Sequence, residues 1–243
     1  MVVTIWATFG ALLYPPVCAS CESLCVGELA FCPRCARNVQ RIVPPICRCC
    51  GLPVAAAGSA DILCGDCLSE PPAFGRARAA FVYAHNDEGS PIARALARFK
   101  YGRIVSLAGP LGSLLRYAGP LDAFAYDWLT PVPLSLERLR WRGFNQSLLL
   151  AHALNTGTVA PALLERSRPT RAQAELRKKD RRGNVRGAFR VRAGAESLVR
   201  GARILLVDDV LTTGSTANEC ALALRRAGAR VVDVLALARV TLL

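Results

Sequence analysis

The sequence predicts an α/β protein, a parallel sheet flanked by helices, with a small metal-bound module at its N-terminal end. Three observations predict it. Ile204-Leu205-Leu206-Val207 is an aliphatic run of the kind buried on both faces of a parallel sheet. A tight loop follows, and then Ala217, Cys220, Ala221 and Leu224 recur at helical spacing before the stop at Gly228. Ten of the eleven cysteines fall between Cys18 and Cys67, and 243 residues suffice for one α/β domain plus such a module.

The loop between that strand and that helix carries the clearest chemistry. Asp208 and Asp209 end the aliphatic run, and Thr212, Thr213, Gly214, Ser215 and Thr216 lead into the helix. A helix N-terminus presents unpaired N–H groups and a dipole that favours an anion. Gly214 lets the backbone approach, and four hydroxyls add donors. Two carboxylates would repel phosphate directly. They suit the hydroxyls of a sugar, or a Mg²⁺ ion lying between them and further phosphates. The expected ligand is therefore a sugar phosphate with free cis-diols. The stretch resembles the phosphoribosyl pyrophosphate (PRPP) signature of type I phosphoribosyltransferases at every position. That resemblance implies that Asp208 and Asp209 hold the ribose hydroxyls and that Thr212 to Thr216 hold the 5′-phosphate.

The cysteines form four CxxC pairs: Cys18/Cys21, Cys32/Cys35, Cys47/Cys50 and Cys64/Cys67. A CxxC turn offers two thiolates to one metal, and two turns close a tetrahedral site. The expectation is two structural Zn²⁺ ions with no open coordination position. Pairs in sequential order are the simplest arrangement; first with third and second with fourth is the alternative. Cys25 and Cys49 are left over. A disulfide framework is the rival, but no export signal supports it. So little aliphatic periodicity would hardly fold without metal.

The formal net charge is +13 and the pI about 9.7, which points to anionic partners, phosphates or nucleic acid. Residues 1–70 carry none of this excess. Residues 1–17 lack Lys and Arg and are broken by Pro15 and Pro16, unlike a signal peptide or a membrane span. A short helix packed through Trp6, Phe9, Leu12 and Leu13 is expected there, in a cytoplasmic chain. The division expected is a zinc module over 1–70, a linker over 71–78 and the α/β domain over 79–243. Neither Walker nor dinucleotide glycine loops occur, which argues against an ATPase or a dehydrogenase.

Within the larger domain a strand is expected at Ala79 to Ala84. A helix is expected from about Pro91 to Tyr101, with Ile92, Leu96 and Phe99 on one face. Lys100, Tyr101 and Arg103 follow those apolar positions. A second helical pattern covers Ile104 to Tyr117, interrupted at Gly109-Pro110. Trp128 to Pro133 reads as a strand end whose prolines forbid central pairing. Arg138, Arg140 and Arg142 alternate, which suits a loop presenting guanidinium forks to phosphate. A helix from about Gln146 to Asn155 comes next. His152 on it is expected to pack, and His85 precedes a turn, so no general base stands out. From Arg166 to Arg192 there are eleven Lys or Arg against Glu175 and Asp180. This segment, with Lys178, Lys179, Arg181 and Arg182, is read three ways: a solvated loop, a lid over pyrophosphate, or a track for single-stranded DNA. Phe189 is its one aromatic residue, a poor stacking platform.

Taken together, four CxxC pairs, Pro131-Val132-Pro133, Arg142-Gly143-Phe144-Asn145-Gln146, Arg168 to Leu176, Arg181 to Asn184, Gly187-Ala188-Phe189 and the Asp208–Thr216 loop resemble the ComF/GntX family. The resemblance covers the chain from Cys18 onward. It implies a type I phosphoribosyltransferase-like fold, a Rossmann-like parallel sheet, behind a double zinc ribbon. It further implies a cytoplasmic protein that binds Mg-PRPP and single-stranded DNA in natural transformation, alongside a competence-type DNA helicase or other uptake proteins. The alternative is an active glycosyltransferase acting on a nucleobase or amine. Asp208, Asp209, Arg140 and Arg142 would then serve catalysis, the arginines receiving pyrophosphate. No hood over an acceptor is expected from the segment after the strand at Val231 to Ala238, which leaves the zinc module as the expected cover.

Overall fold

A computed structural model describes residues 15–25, 30–55, 62–84, 89–118, 125–167 and 185–241. The expected N-terminal helix, His85, and the basic positions Arg168 to Asn184, including Lys178, Lys179, Arg181 and Arg182, lie outside the described residues.

Four parallel strands form the sheet, in the order β1 (Ala77–Val82), β6 (Val231–Arg239), β5 (Arg203–Leu211), β2 (Trp128–Pro131). Strand composition follows position. The central strands β5 and β6 are buried along almost their whole length, as continuous apolar runs require. β2, which ends in proline, is the last full strand of the sheet beside β5, and its outer side is bridged at Leu129 to Val159, with the Leu129 N–H donating to Thr158 O and the Ala160 N–H to Leu129 O. β1 starts at Ala77, ahead of the expected Ala79.

Each face of the sheet is covered. On one, α3 (Pro91–Lys100) buries Ile92, Ala95, Leu96 and Phe99. Ser90 caps it by accepting from the Ala93 N–H, with Pro91 at the first helical position. α6 (Gln146–Ala153) packs beside it through Leu150 and Ala151. On the other face α8 (Ser215–Arg226) buries Ala217, Cys220, Ala221 and Leu224, the residues its spacing predicts, against Ile204 and Leu206. Between α3 and β2 the chain forms a 3₁₀ turn (Val105–Leu107), α4 (Ala108–Ser113) and a second 3₁₀ turn (Leu114–Ala118). Gly109-Pro110 does not interrupt the helix, because Pro110 falls in the first turn, where its missing N–H has no partner to lose. A short ribbon, β3 (Leu164–Arg166) with β4 (Phe189–Val191), and α7 (Glu196–Val199) complete the domain.

The cysteine module, with α1 (Pro33–Ala36) and α2 (Gly65–Ser69), is laid along β1. The Ile42 N–H donates to Ala80 O, and the Val82 N–H donates to Gln40 O. The Ala77 N–H donates to Cys49 O. Arg98 donates to Cys18 O and Ala19 O. At Gly51 (φ +71°) a Cβ would stand 2.5 Å from Ala77 O, so the knuckle approaches the strand as closely as a glycine allows. In residues 71–78 the Ala73 N–H donates to Asn218 Oδ1, and Arg76 pairs with the buried Asp233, which also accepts from Tyr126 Oη at 2.6 Å.

Candidate functional site

The eight CxxC cysteines form two groups of four. Cys18, Cys21, Cys32 and Cys35 are one, and Cys47, Cys50, Cys64 and Cys67 the other, with all sulfurs of a group within 4.8 Å of one another. The pairing is therefore sequential. Cys21 and Cys32 Sγ lie 3.7 Å apart, and Cys50 and Cys64 Sγ 3.6 Å. Tetrahedral Zn–S bonds of about 2.3 Å place sulfurs about 3.8 Å apart, so both groups fit zinc. All eleven cysteines are free of disulfides. α1 and α2 each begin directly after the first cysteine of a pair, at Cys32 and Cys64, and bury the second.

The second centre lies at the carboxyl end of β5, where open parallel sheets place ligands. The strand does not stop at the aspartates but continues through them to Leu211. Asp208 and Asp209 are both buried. Asp208 Oδ1 accepts from Ser147 Oγ at 3.1 Å and from the Asp209 N–H at 2.9 Å. Ser147 is held there because Asn145 caps α6, accepting from the Ser147 and Leu148 N–H groups and donating to Val132 O. Lys100, the last residue of α3, forms an ion pair with Asp209. Burial pushes the Asp208 carboxyl up to about 6, against the opposing pull of Lys100. Burial likewise draws the Lys100 ammonium down to about 8, opposed by Asp208.

After β5, Gly214 takes a left-handed conformation (φ +77°) as the N-cap of α8, and Thr213 Oγ1 accepts from the Ser215 N–H at 3.3 Å. Thr213 Oγ1 and Ser215 Oγ are 2.7 Å apart across the turn. The loop thus offers amide donors and hydroxyls to an anion, with carboxylates a few residues upstream to accept from hydroxyl groups.

The three arginines do not form a loop. They lie on α5 (Leu136–Arg142), capped by Ser135, which accepts from the Arg138 N–H, and closed by Gly143 at φ +86°. Alternate positions on a helix point in different directions, and the structure separates them. Arg142 is buried and donates to Gln146 Oε1, Arg138 is half-buried, and Arg140 is exposed. The Arg142 charge, like that of Arg138, acts to lower the Lys100 pKa, which sets both guanidinium groups near the Lys100–aspartate group. Among the described residues Arg142 Nε has no hydrogen-bond partner, and burial lowers the guanidinium pKa. His152 is exposed in the last turn of α6, not packed.

A cavity of about 330 Å³ opens between the second cysteine group and the start of α8. Cys50, Cys64, Cys67, Phe74, Thr213, Gly214, Ser215, Asn218 and Arg239 are among its walls. Sequence reasoning has Lys100 in view without a role and misses Ser147 altogether. Their partners lie on β5, so no local pattern announces them. Among the described residues no helix is long and apolar enough to cross a membrane.

Comparison with known proteins finds a family match for each of the two modules. The double zinc ribbon domain family matches residues 9–68, and the phosphoribosyl transferase domain family matches residues 159–240. The DNA utilization protein YhgH of Salmonella typhi is 35% identical over 242 residues, covering 94% of this chain and 99% of its own. Competence protein F of Haemophilus influenzae is 32% identical over 232 residues, covering 91% of this chain and 96% of its own. Competence protein ComFC of Bacillus subtilis is 28% identical, covering 81% and 78%. Among solved structures, the allosteric regulatory enzyme of purine biosynthesis is 24% identical with a TM-score of 0.35, covering 54% of this chain and 25% of that one. With a parallel sheet, a helix starting at the Asp208–Thr216 loop, two four-cysteine groups and full-length relatives in hand, the chain belongs to the ComF family of phosphoribosyltransferase-like proteins with an N-terminal double zinc ribbon.

Proposed function

We propose that the protein binds Mg-PRPP at the carboxyl end of β5 and single-stranded DNA on the basic surface beside it, in the cytoplasm, in support of DNA uptake. The observation that carries this reading is the buried Asp208–Asp209 pair, with Lys100 across from it and the N-terminus of α8 immediately downstream. The names of its relatives, a DNA utilization protein and competence proteins, direct the second half of the reading toward DNA.

Each group has a task in this account. Asp208 and Asp209 accept hydrogen bonds from the ribose hydroxyls. The amides and hydroxyls of Thr212 to Thr216 hold the 5′-phosphate. Lys100 and Arg142 meet the pyrophosphate. Arg142 brings to it a buried Nε that has no partner among the described residues. Arg140, exposed on α5, serves DNA phosphates instead. The carboxylates are hard oxygen donors of the type Mg²⁺ takes, and the ion, when bound, neutralises the charge of the pyrophosphate.

A second reading, turnover with an acceptor, is favoured by the cavity. Its walls join the loop residues Thr213 to Ser215 to the second zinc-ribbon turn, so the zinc module could cover an acceptor there. The protein's contribution to such a transfer would be positioning and charge neutralisation of an oxocarbenium-like transition state. Thermal denaturation tests the first reading. Mg-PRPP at a hundredfold excess over its Kd should add about 2.7 kcal/mol of stability, and Mg²⁺ alone should add none. An unchanged transition at millimolar Mg-PRPP would refute PRPP binding. Release of pyrophosphate from PRPP with a panel of nucleobases and amines decides between the two readings.

A further inference from the structure

α3 does not simply end at Lys100. Tyr101 keeps a helical conformation, and Arg103, two residues on, takes a left-handed one (φ +55°) that a non-glycine residue adopts at some cost. The turn sets Tyr101 against Trp141 of α5. Their ring centroids are 6.1 Å apart at 56°. The Arg103 guanidinium lies 4.8 Å from the Trp141 centroid, and that of Arg142 lies 5.9 Å from the Tyr101 centroid. Both rings face water, Tyr101 at 62% and Trp141 at 48% exposure.

Folding has no evident use for these rings. The core beneath is filled by another aromatic pair, Phe99 and Phe144, with centroids 5.4 Å apart. Phe99 is fully buried one residue before Lys100. Two large rings held in solvent by a strained turn suggest a ligand with a flat apolar face. Arg103 against the Trp141 ring, and Arg140, exposed one residue before Trp141 in the chain, suggest that this ligand is also an anion. A base with its phosphate has both properties, and a strand of them repeats both. Aromatic stacking is available to any unpaired base, and guanidinium groups take the backbone. A duplex hides its base faces, so the strand must be single.

We propose that Tyr101 and Trp141 form a stacking platform for the bases of single-stranded DNA, at the rim of the Lys100–Asp209 centre. The proposal rests on the strand-binding half of the function above and names its contact surface. It also relocates the stacking contact. The segment Arg166 to Arg192 has a single aromatic residue, Phe189, whereas the platform is built from α3 and α5, far from it in sequence.

The test uses the full-length, zinc-loaded protein, a fluorescein-labelled oligothymidylate, and an abasic strand of equal length. Wild type should bind the oligothymidylate more tightly than the abasic strand. Tyr101→Ala and Trp141→Ala should each weaken oligothymidylate binding by about five- to 150-fold, the range of base–aromatic stacking, and leave the abasic strand unaffected. Trp141→Phe should restore most of the loss. The slope of affinity against salt should stay as in wild type, because no phosphate contact is removed. Because both side chains are exposed, the thermal transition should not move. Equal affinity of wild type for the two strands would overturn the platform and leave electrostatic strand binding standing. No binding of either strand would sink the strand reading itself, and the platform with it. Wild-type affinity in both alanine variants would also overturn it. So would quenching of Trp141 by thymidine monophosphate with no gain from the strand, which would assign the face to a free nucleotide. Self-association lost in Trp141→Ala with strand affinity unchanged would assign it to a protein contact. Mg-PRPP titrated into Trp141→Ala, whose ring meets Arg103 and not Arg142, should bind as in wild type, which keeps the platform separate from the PRPP pocket.

Discussion

Asp208 is a carboxylate with 8% of its surface in water, and it shares its neighbourhood with Asp209 and Lys100. Its folded carboxyl takes a proton near pH 6, whereas the ordinary value is 3.8. The native state therefore binds more protons than the unfolded chain between these limits. Stability from this group rises as pH falls through about 6 and is lowest at neutral pH. Asp208→Asn keeps an oxygen for Ser147 and removes the buried charge. It should stabilise the ligand-free protein by about 1–3 kcal/mol at pH 7.5, with the gain fading as the pH is lowered from 6 to 4. Denaturant unfolding at several pH values measures this, and a gain independent of pH would contradict it. Lys100→Ala acts oppositely. It leaves Asp209 buried without its cation and should cost about 3 kcal/mol, read in the same unfolding experiment. At this scale the sequence displays the carboxylates and the hydroxyl loop, because they are contiguous. It conceals Lys100 and Ser147, which reach the same point from other helices.

At the scale of elements, periodicity serves well where one face packs and fails where the helix is short. α3 and α8 bury the residues their spacing predicts. α5 reads as a loop in the sequence because alternate arginines suit no single helix face. The structure resolves this by giving each arginine a different environment, with Arg142 alone buried among the three. Helix contacts also set limits that composition does not reveal. α4 crosses α6 so closely that a Cβ on Gly112 would stand 2.2 Å from the Ala153 Cβ. Gly112→Ala should cost about 1–3 kcal/mol through this overlap, despite the better helix propensity of alanine. Thermal denaturation would show it. A neutral or stabilising effect would mean that α4 and α6 can separate, and with them the Asn145 cap that holds Ser147.

For the whole molecule, four CxxC pairs and one strand–loop–helix are enough to announce two modules, and the pairing order comes from the structure. Their junction is not legible. It is made of backbone hydrogen bonds from β1 to the ribbon turns, such as Ala77 N–H to Cys49 O, which carry no side-chain signature. Arg239, at the end of β6, also donates to Cys50 O. The second zinc site is thus tied to the sheet and walls the cavity beside Gly214. Metal analysis should find about two Zn²⁺ per chain. Chelation should lower the thermal transition and expose the cavity to thiol and protease reagents. A zinc-free protein with an unaltered transition would end the structural role assigned to the metal.

Calorimetric titration of Mg-PRPP into wild type and the Asp208→Asn, Asp209→Asn double variant decides whether the loop from Asp208 to Thr216 takes PRPP. Binding to wild type should be saturable and Mg²⁺-dependent, and the double variant should bind none, with the folded state of both verified by their zinc content and cooperative unfolding. Wild-type affinity in a folded double variant would contradict PRPP binding at this loop.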